Sequence, residues 1–388
     1  MENTERKIDK LSSGMLCVGH FTVDSYGGFL TPILPFIAAK LSISIALVSL
    51  MISISHLASS IMQPLFGYIS DSLSRRFFII WGLVLAAVFT SLGGVVSNAW
   101  LLAFIIIMGN VGVAFYHPQG MTLTNYFAGN KLNVVMGIFT ACGTIGYAIG
   151  PMISSSLVAK FGLNSTIYAI IPGLIFAFIL YSTLPKIPVE IIKKEKISFF
   201  EVLKKIFANR LLLILAYIAT LNSMIVLSFA IWMPFVWKAQ GYSVSTIGYL
   251  IALFSLAGGI ATFLGAKFAN SFGKRAVYYM ALLPIMPLGL LCLYFTDKIP
   301  VVSFIFFVLI GFFISFGVST NVVTAQSNLP EYRGVISGVI GGFSWGVMGV
   351  LLAPLGFIAE KVGITTVLCV ISFIPFVSTL LIKFIPDK

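Results

Sequence analysis

Three side chains in this chain are of a type that could carry a proton through an apolar interior. His20 and Asp24 lie four residues apart in an apolar run, so they share one face of a helix. Asp24 is the only acidic residue well inside any apolar span. An ionisable group in such a place is costly and points to function by default. Histidine, the type at position 20, is a side chain suited to passing protons. The third side chain is His117, within Tyr116-His117-Pro118-Gln119-Gly120. Pro118 removes a backbone hydrogen bond and kinks its helix, which leaves polar groups to face a cavity. Asp24, His20 and His117 are therefore candidate proton carriers, and Tyr116 and Gln119 candidate substrate contacts. The alternative for His20 and Asp24 is a structural hydrogen-bonded pair. For His117, and for His56 as the remaining histidine, it is a buried hydrogen-bonding role.

The second half of the chain offers neutral groups instead: Asn222 and Ser223, then Thr320, Asn321, Thr324 and Gln326. Asn222, Asn321 and Gln326 are candidate substrate contacts, and bonding between helices is the alternative. An intramembrane enzyme with His117 as base would need a nucleophile, a carboxylate pair or a metal cluster. None is evident, so neither catalysis nor a cofactor or metal is expected. No selectivity-filter pattern suggests a channel.

These residues need helices to hold them. The composition is 59% hydrophobic and 9% charged, a balance no soluble fold of this length carries. Runs of about 20 apolar residues can cross hydrocarbon, and backbone in lipid must bond internally, as helices do. Twelve spans are predicted: 13–38, 45–70, 77–97, 100–125, 133–159, 164–184, 210–238, 244–269, 276–296, 300–325, 334–358 and 365–385. The pattern occurs twice. GYISDSLSRR at 67–76 answers AKFANSFGKR at 266–275, and Pro35-Phe36 answers Pro234-Phe235, each at an offset of 199 residues. Two similar halves facing a central path are a common plan for carriers. The reading is an all-α membrane protein: an N-terminal six-helix bundle over 1–184, a linker over 185–209 and a C-terminal six-helix bundle over 210–388.

Net charge is +12. With the N-terminus placed inside, 19 of the 24 Lys and Arg residues fall on the inner side. That asymmetry sets orientation, with both termini cytoplasmic. The charges are spread over many short loops, so a nucleic-acid surface is not expected. Cys17, Cys142, Cys292 and Cys369 all fall within spans and are read as buried free thiols. The first span follows a basic tail, as a signal peptide would, but it is too long and is read as a retained helix. Within the linker, Ser198 and Glu201 form a capping-box pattern ahead of an amphipathic stretch to Phe207, which predicts a helix lying on the inner leaflet. It serves either as a tether or in regulation.

After the second span, Gly67, Asp71, Arg75 and Arg76 stand at relative positions 0, 4, 8 and 9. Asp71 and Arg75 are one turn apart and can pair at the membrane edge. This G-x-x-x-D-x-x-x-R-R element resembles the signature of the major facilitator superfamily, and with twelve spans, duplication and a basic central linker the likeness covers essentially the whole chain. The second copy differs, with Ala266, Asn270 and Lys274 where the first has Gly, Asp and Arg. The resemblance implies an asymmetric inner gate formed by Gly67, Asp71, Arg75, Arg76, Lys274 and Arg275; a plain topology signal is the alternative. It also implies a cavity lined by spans one, four, seven and ten, two bundles related by a pseudo-twofold axis, and alternating access.

Span one reads GHFTVDSYGGFLTPILP and span four AFYHPQG. Both are similar to the fosmidomycin-resistance type of major facilitator. Gln119 stands where an acidic residue is expected in several of its relatives. Gly143, Gly146 and Gly150-Pro151 resemble the G-x-x-x-G-P element of exporters, with Gly349 and Ala353-Pro354 as counterpart. No Lys or Arg lies mid-span, so a clamp for multiply charged phosphates is missing. The expectation is a multi-pass protein of the cytoplasmic membrane, working as a monomer. It would be a proton-coupled antiporter that exports a small amphipathic drug or metabolite and so confers drug resistance. A proton-linked importer or facilitator is the alternative.

Overall fold

In a computed structural model of the chain, residues 7–69, 75–185, 204–329, 336, 340, 342 and 344–387 are described. Among them there is helix and turn but no strand. In chain order the helices are α1 (Lys10–Phe29), α2 (Leu34–Leu41), α3 (Ile45–Ile69), α4 (Arg75–Ser91), α5 (Ala99–Phe127), α6 (Leu132–Phe161) and α7 (Ile170–Thr183). The second half continues with α8 (Arg210–Ala239), α9 (Val244–Phe272), α10 (Lys274–Leu282), α11 (Ile285–Phe295), α12 (Pro300–Ser315), α13 (Val318–Asn328), α14 (Ser344–Val362) and α15 (Ile364–Ser378).

Eleven helical stretches among the described residues are long and apolar enough to cross a membrane. The one predicted span not among them is the first, made of α1 with α2, where Ser12, Ser13, His20 and Asp24 dilute the apolar run. The chain is an all-α, multi-pass membrane protein. Its boundaries follow the sequence closely, with three departures. Span one breaks at Leu30–Ile33, because Pro32 and Pro35 each lack the N–H that a continuous helix needs. Span nine breaks at Leu283-Pro284 for the same reason, and span ten at Phe316-Gly317. By contrast α5 runs on through Pro118, and α6 through Pro151. Asp9 starts α1 by accepting from the Ser12 amide at 3.0 Å and its hydroxyl at 2.7 Å, an N-cap. The expected surface helix and capping box of the linker fall largely on 186–203, outside the described residues.

The chain divides into two compact units. The first comprises Met1–Ile43, Ile54–Lys194 and Ser243–Ala252; the second Ser44–Ser53, Glu195–Tyr242 and Leu253–Lys388. The opening of α3 thus groups with the second unit and the opening of α9 with the first, and the two segments are 199 residues apart, the repeat offset. Within the second unit the Trp232 indole donates to the Ser49 hydroxyl at 3.1 Å.

In the first unit the tightest packing is α1 on α6 and α4 on α5. Lipid supplies no hydrophobic drive between helices, so close approach through small residues does this work. A Cβ at Gly146 would run into the Phe21 backbone of α1, and one at Gly150 into that of Ser25. This close seam brings the polar face of α1 against α6 and up to α5.

Candidate functional site

α1 presents His20 and Asp24 to one side, and α5 brings His117 to meet them. Asp24 Oδ2 lies 3.2 Å from His20 Nε2, and Asp24 Oδ1 lies 3.2 Å from His117 Nε2. The two Nε2 atoms are also 3.2 Å apart. The other ring nitrogens fix the tautomers. His20 Nδ1 is 2.8 Å from the Phe139 carbonyl, and His117 Nδ1 is 2.9 Å from the Val113 carbonyl. A carbonyl only accepts, so each Nδ1 carries its hydrogen. In neutral rings both Nε2 atoms then offer lone pairs to each other and to a carboxylate. Three acceptors converge with no hydrogen between them. Such a group repels itself until a cation enters. A bare carboxylate kept from water costs several kcal/mol on its own, so the cluster favours an added positive charge.

The rings are held from behind. His20 stacks on Phe139 at 4.1 Å and lies nearly parallel to Tyr116 at 6.2 Å. α6 leaves room for this only because residue 143 is glycine: a Cβ there would stand 2.5 Å from His20 Nε2 and 2.7 Å from Asp24 Oδ2. The site is not sealed. The side chains of Asp24 and His117 keep 15% and 22% of their exposure, against 6% for His20. Tyr116 and Tyr147 are further ionisable groups within electrostatic reach of Asp24. Cys17 and Cys142 face each other next to Tyr116. Cys142 and Cys369 are half-buried, unlike the buried Cys17 and Cys292.

The remaining candidates are placed elsewhere. Tyr116 is fully buried and gives its hydroxyl to the Leu16 carbonyl at 2.7 Å. Gln119, also fully buried, is two residues beyond His117 and so on another side of α5. It accepts from Arg75 Nη1 at 3.1 Å and donates to the Phe66 carbonyl at 3.2 Å, tying α3, α4 and α5 together. Asp71 lies outside the described residues; Gly67 is within α3. Arg76 donates to the Tyr181 carbonyl and stacks 4.7 Å over its ring. Its repeat counterpart Arg275 donates to the carbonyls of Ile385 at 2.7 Å and Lys383 at 3.1 Å. The Lys274 amide donates to the Asp387 carbonyl at 3.3 Å. Each half therefore fastens the end of its own last helix with the second basic residue of its motif, a placement that also suits the negative helix end. Truncating Arg275 to Ala removes two charge-assisted bonds; thermal unfolding in detergent should register a loss of about 1–2 kcal/mol.

In the second unit a cavity of about 80 Å³ is lined by Asn222, Ser223, Asn321 and Trp345 among apolar side chains. Drug-sized ligands need about 300–1,000 Å³, so this space is part of a binding site at most. Asn321 spends its amide on Tyr278 (3.2 Å) and the Leu215 carbonyl (2.9 Å). Asn222 donates to the Ile314 carbonyl at 2.9 Å. Both thus bond between helices as well as lining the cavity. Gln326 is on α13 and does not line the cavity. Sequence reasoning missed Phe139, Val113 and Trp345. It noted Gly143, but only within the glycine element that resembles that of exporters.

Membrane-length helices, a sequence that repeats at an offset of 199 residues, a polar cluster inside the first unit and a basic motif after α3 describe a membrane transporter. The Major Facilitator Superfamily profile matches residues 16–354, and the chain belongs to that family. It is 25% identical over 397 residues to the fosmidomycin resistance protein of Escherichia coli K12, covering 97% of this chain and 92% of that one. It is also 25% identical over 373 residues to the uncharacterized transporter YfnC of Bacillus subtilis 168, covering 93% and 89%. Among solved structures, a mutant of the nucleoside transporter NupG superposes with a TM-score of 0.77 at 16% identity, over 97% of this chain and all of that one. A D-xylose–proton symporter superposes with a TM-score of 0.73 at 14% identity, over 97% of each chain. These two likenesses establish the fold.

Proposed function

We propose that this transporter is a proton-coupled exporter of small amphipathic solutes, with Asp24, His20 and His117 as its proton site. The observation that carries the reading is the convergence of three acceptors locked in that role by the Phe139 and Val113 carbonyls. One added proton turns mutual repulsion into a hydrogen-bonded group, and a cargo that competes for the same face would displace it. The protein would sit in the cytoplasmic membrane as a monomer with both termini inside. Alternating access would carry the site from one side to the other. Asn222 and the cavity around it would contact the cargo, while Tyr116, Gln119, Asn321 and Gln326 would shape its path. The likeness to a protein named for fosmidomycin resistance supports export. Its drug is not carried over, because no Lys or Arg lies mid-span to hold a phosphonate.

The test is purified protein in proteoliposomes with a pH-sensitive dye inside. Adding a transported solute is expected to move protons the opposite way, and an imposed pH gradient to drive solute uphill. Solute flux indifferent to the gradient would remove the coupling; co-directional flux would make the protein an importer. Gly67, Asp71, Arg75, Arg76, Lys274 and Arg275 form the proposed inner gate, with Gln119 steadying Arg75. Arg75→Ala is expected to lower transport by about 10-fold, in line with losing a part-buried charge-assisted bond. Unaltered flux in this variant would end the gate role.

A further inference from the structure

We infer that the His20–Asp24–His117 cluster is also a binding site for a divalent transition-metal ion of the zinc class. The geometry of the three side chains carries this, apart from any role in proton coupling. An ion bound by imidazole nitrogen and carboxylate oxygen at about 2.0–2.1 Å in a tetrahedron holds its ligand atoms about 3.3 Å from one another. Here the three closest separations are each 3.2 Å: Nε2 to Nε2, Nε2 to Oδ2 and Nε2 to Oδ1. Taken one per residue, the ligand atoms lie within 4.8 Å of each other.

The surroundings match as well. A metal-bound histidine usually donates its other ring N–H to a carbonyl or carboxylate, which fixes the tautomer and aims the ring. Both histidines do this, through Phe139 and Val113. The stacking of Phe139 and Tyr116 holds the His20 plane. Gly143 supplies the cradle, since any Cβ would intrude on the ligand atoms. Two nitrogens and a carboxylate suit zinc, cobalt or nickel; calcium and magnesium require six or more oxygens. Three protein ligands leave one position open, and the partial exposure of Asp24 and His117 gives the ion a way in. Metal and proton would compete for the same lone pairs, so zinc would block proton-linked flux.

The experiment uses the full-length protein in detergent, purified without a histidine tag and stripped with a chelator. Co²⁺ is titrated by absorption spectroscopy and Zn²⁺ by calorimetry. The expected result is one ion per chain and a strong four-coordinate Co²⁺ band that Zn²⁺ displaces and Mg²⁺ does not. Asp24→Asn and His117→Gln should each weaken binding on the order of 100-fold. His56→Gln should leave it unchanged. If Asp24→Asn does not fold, Asp24→Glu and His117→Gln decide, with a zinc-induced rise in melting temperature as a second readout. The site is overturned by the absence of saturable Co²⁺ binding, by a six-coordinate spectrum, or by binding equal in wild type and both variants. Proton coupling, measured in metal-free vesicles, stands or falls separately.

Discussion

Asp24→Asn is expected to abolish solute-driven proton movement in proteoliposomes, by about 100-fold or more against wild type, the scale of losing a functional charge inside a membrane protein. Asparagine keeps the shape of the side chain. Its amide can donate to one Nε2 and still offer an oxygen toward the other ring. That oxygen still faces a lone pair, so the cluster is only partly relieved, but with the negative charge gone its demand for a cation falls sharply. Exchange of labelled for unlabelled solute needs no proton and is expected to persist. The melting temperature should move little, since one acceptor has been traded for a donor among acceptors. The measurement pairs dye-reported pH with solute counterflow. Proton-driven transport that survives in the variant would take Asp24 out of the mechanism.

The second large effect is expected from a single methyl group. In Gly143→Ala the new carbon would stand 2.5 Å from His20 Nε2 and 2.7 Å from Asp24 Oδ2. Either the ring leaves its stack on Phe139 and its bond to the Phe139 carbonyl, or α6 backs away from α1. The second route is resisted by Gly146 and Gly150, which already bring the two helix backbones together. The ring must therefore yield. Overpacking costs about 1–3 kcal/mol, while alanine returns up to about 1 kcal/mol in helix propensity. Stability should fall only modestly, and transport by 10-fold or more as the cluster is dispersed. Gly137→Ala is the control. It lies on the same helix with nothing within 4 Å of the added carbon, so it should be neutral or slightly stabilising. Equal flux in the two variants would show that the room at residue 143 does not matter.

Much of the fold was legible because hydrocarbon imposes one rule, a run of apolar residues long enough to cross it, and this chain obeys it almost everywhere. The failures came where prolines cluster. Pro32 and Pro35 end α1 earlier than hydropathy alone implied, whereas Pro118 and Pro151 are absorbed into continuous helices. Hydropathy does not separate these cases, because both are equally apolar. The joining of His20 with Asp24 followed from their four-residue spacing. Their meeting with His117 is a tertiary contact between residues 97 positions apart, and the proline next to His117 was its sole local signal. Gln119 could not be placed by type. An amide that bonds a backbone carbonyl and an arginine from other helices looks, in sequence, like an amide waiting for cargo. The same holds for Asn321. The carbonyls that set the tautomers of the histidines left no mark at all, since every residue has one.

The twin fastenings at Arg76 and Arg275 bear on the origin of the chain. Each arginine reaches a carbonyl near the close of its own half, Tyr181 in one and Ile385 in the other. A half-length ancestor would already have had its last helix tied down before any gene fusion took place. Severing the polypeptide between Lys186 and Leu203 should therefore leave each last helix fastened, but because the opening of α3 groups with the second unit and that of α9 with the first, the two pieces should recover the fold only when produced together.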